Sequence, residues 1–382
     1  MAGNVPSGRY KFPVRVAQVV GKAVNGGVES FILNRYQYID REKIQYDCII
    51  DEDSTCVPFQ EKIKSLGGRI FVVPPHEKLF ANMKALYKIF TENKYPLVYS
   101  HLNTMSVFPL FTAWRAGIPI RVAHSHSTAG KGRGEYKRDL LKYILRPFAK
   151  IFPTDLCASS VFAGEWMFGK KTMQAGKVNV WSTAIDIERF VYNERKREEM
   201  RGRLNLGGKF VVGHAGRFVS QKNHDFLLDI FAEIHRLRGD SVLLLVGDGP
   251  LLEEFTEKVR ALGLESSVIF AGSVNDIENY YQAMDVFILP SFYEGMPAVG
   301  SEVQVSGLPF LCSDRVTPET KFCDNLEFMS LNHSAGEWAR EALRISEGHI
   351  RRDMRDIARN AGFDVRTQAA KMSKWYCDLL GI

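Results

Sequence analysis

The stretch 210–246 reads FVVGHAGRFVSQKNHDFLLDIFAEIHRLRGDSVLLLV. It opens on an apolar run, 210–214, and closes on another, 242–246, each the length of a buried strand. Between them Leu227, Ile230, Phe231 and Ile234 recur at i, i+3, i+4 and i+7, the spacing of one helix face. Two buried strands joined by a helix form a βαβ unit, which belongs in a parallel sheet with helices on both faces.

The alternation runs on in both directions. Segments 268–271, 286–290 and 309–312 read as strands downstream. Upstream, 14–20, 47–50, 69–73, 97–99, 118–123 and 156–159 do the same, separated by helical patterns such as 83–90 and 136–148. Two consecutive series predict an α/β protein of two Rossmann-like domains, over 1–185 and 186–360. A closing helical segment, 361–382, is expected to return to the first domain. The boundary falls in the polar stretch 183–208.

Composition agrees with a globular chain: 382 residues, 45% apolar and 25% charged, too apolar for disorder. No run approaches the roughly 18 apolar residues of a membrane span. The first twenty residues lack a hydrophobic export signal, and the six cysteines (Cys48, Cys56, Cys157, Cys312, Cys323, Cys377) show no zinc-ligand spacing. A cytoplasmic location with reduced thiols is expected, which excludes secreted disulfide scaffolds and zinc modules. Residues 1–185 carry 26 basic and 14 acidic side chains, the remainder 24 and 30. A basic first half suits an anionic partner or is simply an uneven solvated surface.

In such sheets the loops after the strands carry the chemistry. Gly247-Asp248-Gly249 begins a dinucleotide fingerprint, but Leu252 stands at its third glycine. Gly21-x4-Gly26 begins a phosphate loop, but Gly27-Val28 stands where Lys-Ser/Thr is required. The Gly26-Gly27 turn opens a helix, so it offers either close approach to an anion or a plain tight turn. After the strand 286–290 comes Ser291-Phe-Tyr-Glu294-Gly-Met-Pro297-Ala-Val-Gly-Ser-Glu302. With Pro297 expected at the first helical position, the amides of Gly295, Met296 and Ala298 would form an anion site between two carboxylates. A bare phosphate would be repelled there. A sugar nucleotide would lay its hydroxyls on Glu294 and Glu302 and its diphosphate on the amides. Gly216-Arg217-x4-Lys222, following the strand 210–214, supplies two cations for one diphosphate.

These motifs together resemble those of the retaining, nucleotide-sugar-dependent glycosyltransferases of family 4. They are Gly216-Arg217-x4-Lys222, Val246-Gly-Asp-Gly-Pro250, Gly272-Ser-Val-Asn-Asp276 and Glu294-Gly-Met-Pro with Glu302. Asn25-Gly-Gly-Val-Glu29, His124-Ser-His126 and Ala184-Ile-Asp186-Ile-Glu-Arg-Phe190 extend the likeness over nearly the whole chain, towards capsular and exopolysaccharide enzymes. The resemblance implies the GT-B fold, two Rossmann-like domains facing each other across a cleft, and transfer of a hexose from a nucleotide sugar, UDP-linked by expectation. By that resemblance Arg217 and Lys222 hold the diphosphate and Glu302 the ribose. Glu294 binds the transferred sugar, with the Gly295–Ala298 backbone (Met296 and Pro297 between) positioning it. Val274 lies near the base, Gly216 belongs to the donor site, and Gly26 and Gly27 approach the phosphates from the other domain. His126 fits the family's active-site histidine better than His124. Ala298-Val-Gly-Ser and Val303-Gln-Val depart from the usual family residues and bear on donor preference.

No cofactor or metal is expected. Alternation puts His124 and His126 on one strand face, as in a zinc pair, but no third ligand is near in sequence. Segment 131–150 carries seven basic residues among apolar ones: either a helix that lies on anionic lipid or a core helix with a basic outer face. The first reading makes this a peripheral enzyme at the inner membrane face, acting on a saccharide carried by a lipid diphosphate. No nucleic-acid motif is present. A nucleotide-sugar 2-epimerase and a non-catalytic sugar-nucleotide binder are the alternative readings.

Overall fold

A computed structural model describes residues 11–24, 26–126 and 136–382. They form two compact units. The first contains the described residues up to Ala184 together with Asp364–Ile382, and the second spans Ile185–Phe363.

The first unit is built on a seven-stranded parallel sheet. Its strands are β1 (Val14–Gly21), β2 (Ile44–Asp51), β3 (Arg69–Val73), β4 (Leu97–Ser100), β5 (Ile120–Ser125), β6 (Asp155–Ala158) and β7 (Val178–Val180), in the order β3-β2-β1-β4-β5-β6-β7. Near-continuous burial of Val14–Gly21 and Leu97–Ser100 is what a sheet covered on both faces requires. Two helices matter for the site. One, α1 (Gly27–Tyr36), follows β1. The other, α6 (Val365–Leu380), packs on α1 and places Met372, Tyr376 and Leu380 in the same core.

The second unit repeats the plan with six parallel strands: β8 (Phe210–Ala215), β9 (Ser241–Val246), β10 (Val268–Phe270), β11 (Val286–Leu289), β12 (Phe310–Ser313) and β13 (Leu326–Met329). Their order is β10-β9-β8-β11-β12-β13. The helix α4 (His224–Leu237) buries Leu227, Ile230, Phe231 and Ile234, the face read from the sequence. Each sheet reverses its strand order once, between β1 and β4 and between β8 and β11. At such points the loops at the strand C-termini diverge and leave room for a ligand.

Several local expectations need correction. The strand expected from 118 starts at Ile120, because Pro119 has no N–H to donate. The strand expected to reach Pro290 ends at Leu289 for the same reason. The helix expected over 136–148 is α2 (Tyr136–Leu145) followed by a tighter turn, Arg146–Lys150, where Pro147 interrupts the α pattern. The polar stretch 183–208, in which the domain boundary is expected, folds in part into helices. Its helix α3 (Glu194–Arg203) sends Arg197 and Arg201 onto Asp285, whose carboxylate also accepts the Val211 amide at 2.7 Å. The edge strands β7 and β13, partly exposed, were not apparent in the sequence pattern. Among the described residues no helix is long and apolar enough to cross a membrane. Residues 131–135 of the basic segment lie outside the described residues.

Candidate active site

In the second unit the loops leaving β8 and β11 meet at the point where the strand order reverses. Lys222 Nζ lies 2.6 Å from Glu294 Oε1, and both side chains are largely buried. Glu294 also accepts from Gln221 Nε2 at 3.1 Å and Ser291 Oγ at 3.2 Å, so its carboxylate is held by three donors. The two loops are tied again by Asn223 Nδ2 on the Pro290 carbonyl and by the Phe292 amide on the Gln221 carbonyl. Gly216 sits against this pair: a Cβ there would stand 3.1 Å from Lys222 Cε. The Arg217 side chain is exposed and has no polar partner among the described residues, while its backbone carbonyl accepts from the Val219 amide. Lys222 is therefore a neutralised cation, and Arg217 is a free one.

The helix α5 (Ala298–Val305) begins one residue later than expected. Pro297 is its N-cap, with ψ of 132°, rather than its first helical residue. Its extended ψ keeps it out of the first turn, so the leading amides belong to Ala298 and Val299; the Gly300 amide already bonds the Pro297 carbonyl. Met296 and Gly295 precede the helix in the loop that carries Glu294. Val274 is partly buried and packs, as Ile277 does, against the apolar core of the second unit.

Glu302 lies on α5 and accepts from the Tyr281 hydroxyl at 2.7 Å. Burial raises its pKa above the ordinary glutamate value; the Tyr281 bond and the charges of Arg189 and Lys222 oppose the rise, and Glu278 adds to it. Folded Glu302 keeps its proton to a higher pH than the unfolded chain does. Its ionisation therefore costs stability as pH rises from the ordinary glutamate range through the raised folded value, and the cost persists above it. Glu302→Gln is expected to raise Tm at neutral pH by about 2–4 °C, with the gain vanishing in acid, and to weaken nucleotide binding. Calorimetric melting against pH checks the sign.

In the first unit the corresponding loops present three histidines. His101 follows β4, His124 lies in β5, and His126 follows β5. The His124 and His126 rings stack 3.9 Å apart at 9°, and Phe31 of α1 meets both edge-on. His101 Nδ1 is 2.9 Å from His126 Nε2. Burial, with the fully buried Arg35 cation adding to it, pushes the His126 pKa down to about 3 and lowers His101 and His124 well below 6.5. All three are neutral at physiological pH.

His101 is the third imidazole that was missing in sequence; the three bring ring nitrogens within 4.8 Å of one another. As oriented, His124 and His126 do not aim at one ion. A metal lies in the plane of each imidazole that binds it, and two parallel stacked rings share no such point. The Arg35 charge opposes a second cation as well. Nothing in local spacing pairs His101 with His126, although its place just past a strand end is the same signal that marked His126.

At the start of α1 the Glu29 carboxylate accepts from the amides of Val24 and Gly26. The Gly26 amide, expected to face a phosphate, is thus already occupied, whereas a Cβ at Gly27 would meet nothing within 4 Å. Asn25 lies outside the described residues.

Comparison with known proteins follows this geometry. The family described as Glycosyltransferase Family 4 matches residues 25–189, and that described as Glycosyl transferases group 1 matches 209–347. The chain is 31% identical over 369 residues to the putative glycosyltransferase EpsF of Bacillus subtilis, covering 95% of this chain and 96% of that one. It is 25% identical over 381 residues to the Escherichia coli UDP-Gal:alpha-D-GlcNAc-diphosphoundecaprenol alpha-1,3-galactosyltransferase, covering 96% and 97%. Anabaena HepE, solved in complex with UDP and glucose, shares the fold with a TM-score of 0.76 at 20% identity, over 95% of this chain and 99% of that one. Two parallel α/β sheets, paired motifs in the expected order and full-length similarity place the chain in the family 4 glycosyltransferases of GT-B architecture.

Proposed function

We propose that the protein transfers a hexose from a UDP-sugar, with retention and without a metal ion, to a saccharide carried on a lipid diphosphate in surface polysaccharide synthesis. The observation that carries this reading is the Lys222–Glu294 pair at 2.6 Å, at the strand-order reversal and just before the first amides of α5. A cation held rigidly by a carboxylate suits a diphosphate and a sugar hydroxyl at adjoining positions. The acceptor class follows the Escherichia coli relative, whose own acceptor is a diphosphoundecaprenol saccharide. The donor class follows that relative and the UDP-bound Anabaena protein.

In this reading Arg217 and Lys222 bear the charge that grows on the diphosphate as the anomeric C–O bond breaks. The Ala298 and Val299 amides add the positive end of a helix. Glu302 accepts from the ribose hydroxyls and Glu294 from the sugar. Val274 lies near the base, and His126 meets the sugar from the acceptor side. The leaving phosphate takes the proton of the attacking hydroxyl on the same face, which preserves anomeric configuration. Cationic side chains and helix amides take the part a metal plays elsewhere. Thermal-shift screening against UDP-, GDP- and ADP-sugars tests the donor. A UDP-sugar at about 100 times its Kd adds about 2.7 kcal/mol to stability, and no shift with any UDP-sugar would overturn this donor class.

Membrane contact belongs to the same proposal. Leu140, Leu141, Tyr143, Ile144, Phe148 and Ile151 are all exposed, interleaved with Lys142, Arg146 and Lys150. Exposed apolar side chains with basic neighbours suit an anionic lipid surface. The protein is expected to pellet with phosphatidylserine vesicles at low salt and to be released as salt rises; absence of pelleting at low salt would remove the membrane from the reading.

A further inference from the structure

One chain of hydrogen bonds runs from α6 to His126 inside the first unit. Gln18 Nε2 donates to the Tyr376 hydroxyl at 3.1 Å, which leaves Gln18 Oε1 facing His101 Nε2 at 2.8 Å. An amide oxygen only accepts, so His101 carries its proton on Nε2. Neutral His101 then has a bare Nδ1, and that atom faces His126 Nε2 at 2.9 Å. A bare nitrogen accepts, so the His126 proton sits on Nε2. We infer that Gln18 and His101 are positioning residues that hold His126 in its Nε2-protonated tautomer, with Nδ1 offered as a hydrogen-bond acceptor.

The surroundings keep this order from reversing by ring rotation. Gln18, His101, Tyr99 and Tyr376 are all buried. The His101 ring stacks on Tyr99 at 4.7 Å and 15°, and the His126 ring stacks on His124 with Phe31 standing beside both. Asn103 Oδ1 accepts the His126 backbone amide at 2.7 Å and fixes the chain. His126 Nδ1 has no partner among the described residues. The orienting bond lies on one ring nitrogen and the working atom is the other, as in other oriented imidazoles.

The inference rests on the reading that His126 meets the sugar, and it sharpens that reading. A bare Nδ1 accepts from a hydroxyl and repels a carboxylate or carbonyl oxygen. The group His126 meets is therefore a free hydroxyl of the sugar, not the acid of a uronic residue.

Nitrogen-15 NMR of histidine-labelled protein at neutral pH tests the tautomer, with His126→Gln to assign the signal. His126 is expected to carry its proton on Nε2, and a proton on Nδ1 would overturn the inference; if the variant does not fold, the wild-type signal is assigned through nuclear Overhauser contacts to the Phe31 ring beside it. Gln18→Leu removes the acceptor for His101. It is expected to mix the His126 tautomers and lower kcat for UDP release from UDP-glucose about 10- to 100-fold, with KM within about twofold of wild type. Gln18→Glu keeps that acceptor and is expected to restore both the spectrum and kcat. Loss of kcat in Gln18→Glu with an unchanged spectrum would mean that Gln18 acts only structurally, against the inference. If no UDP-sugar, UDP-glucose included, were turned over, the proposed donor class would fail while the spectrum still decided the tautomer.

Discussion

Lys222→Ala is expected to lose both turnover and stability, whereas Arg217→Ala is expected to lose turnover alone. The difference follows from burial. Removing Lys222 leaves the Glu294 carboxylate buried with only Gln221 and Ser291 as donors. Breaking a buried pair from one side costs about 3–5 kcal/mol, because the remaining charge stays out of water without its partner. In a unit of this size that lowers Tm by roughly 10 °C. The Arg217 side chain is exposed and holds no polar partner among the described residues, so its loss should move stability by no more than about 0.5 kcal/mol. Both variants are expected to lose about 100- to 1,000-fold in kcat, the cost of removing one preorganised charge from a developing anion. Glu294→Gln with Lys222→Met tests the same logic in reverse: removing both charges should restore most of the lost Tm and none of the turnover. Unchanged kcat in Arg217→Ala and Lys222→Ala together would sink the diphosphate assignment.

Gly247→Ala is expected to be the most damaging single methyl group in the second unit. Gly247 has φ of +140°, a conformation that side chains rarely adopt, and a Cβ there would lie 2.1 Å from the Gly216 carbonyl oxygen. The obstacle is backbone, so no rotamer change relieves it. Gly249, with φ of +159°, is similarly pressed against the Phe218 backbone: a Cβ added there would lie 2.5 Å from the Phe218 oxygen. The loop that carries Arg217 is thus wedged between two glycines after β9. An alanine at 247 must push that loop away and is expected to cost about 3 kcal/mol or more. It should also displace Arg217, lowering kcat/KM about 100-fold, since a shift near 1 Å in a positioning element costs that much. Melting curves and UDP release check the two effects. An alanine variant with wild-type Tm and rate would show that the loop is free to move.

The same glycines illustrate how the sequence reads. Gly247-Asp248-Gly249 fails as a dinucleotide fingerprint because Leu252 replaces the third glycine, and that much is visible in the letters. What the two glycines do instead is admit the neighbouring loop, which depends on β9 lying beside β8. Pro297 was legible as a helix-start signal but misplaced by one position, since its φ suits both the N-cap and the first turn and only the ψ of 132° separates them. Gly26 was legible as a turn glycine. That Glu29 folds back onto its amide could not be read from spacing that equally allows the side chain to face solvent.

From the letters alone came the two strand–helix series, the order of the motifs and the residue types that suit a sugar diphosphate. Those are local properties: an apolar period of 3.6, a short apolar run, a proline or glycine at a turn. Which of those residues meet was decided only by the tertiary structure. Lys222 pairs with Glu294 because β8 and β11 are neighbours across the reversal in strand order. His101 reaches His126 because β4 lies beside β5, and Gln18 reaches Tyr376 because α6 packs back on the first unit. Periodicity sets which face of an element is buried. Strand order sets which partner lies across from it, and that order is chosen by packing many elements at once.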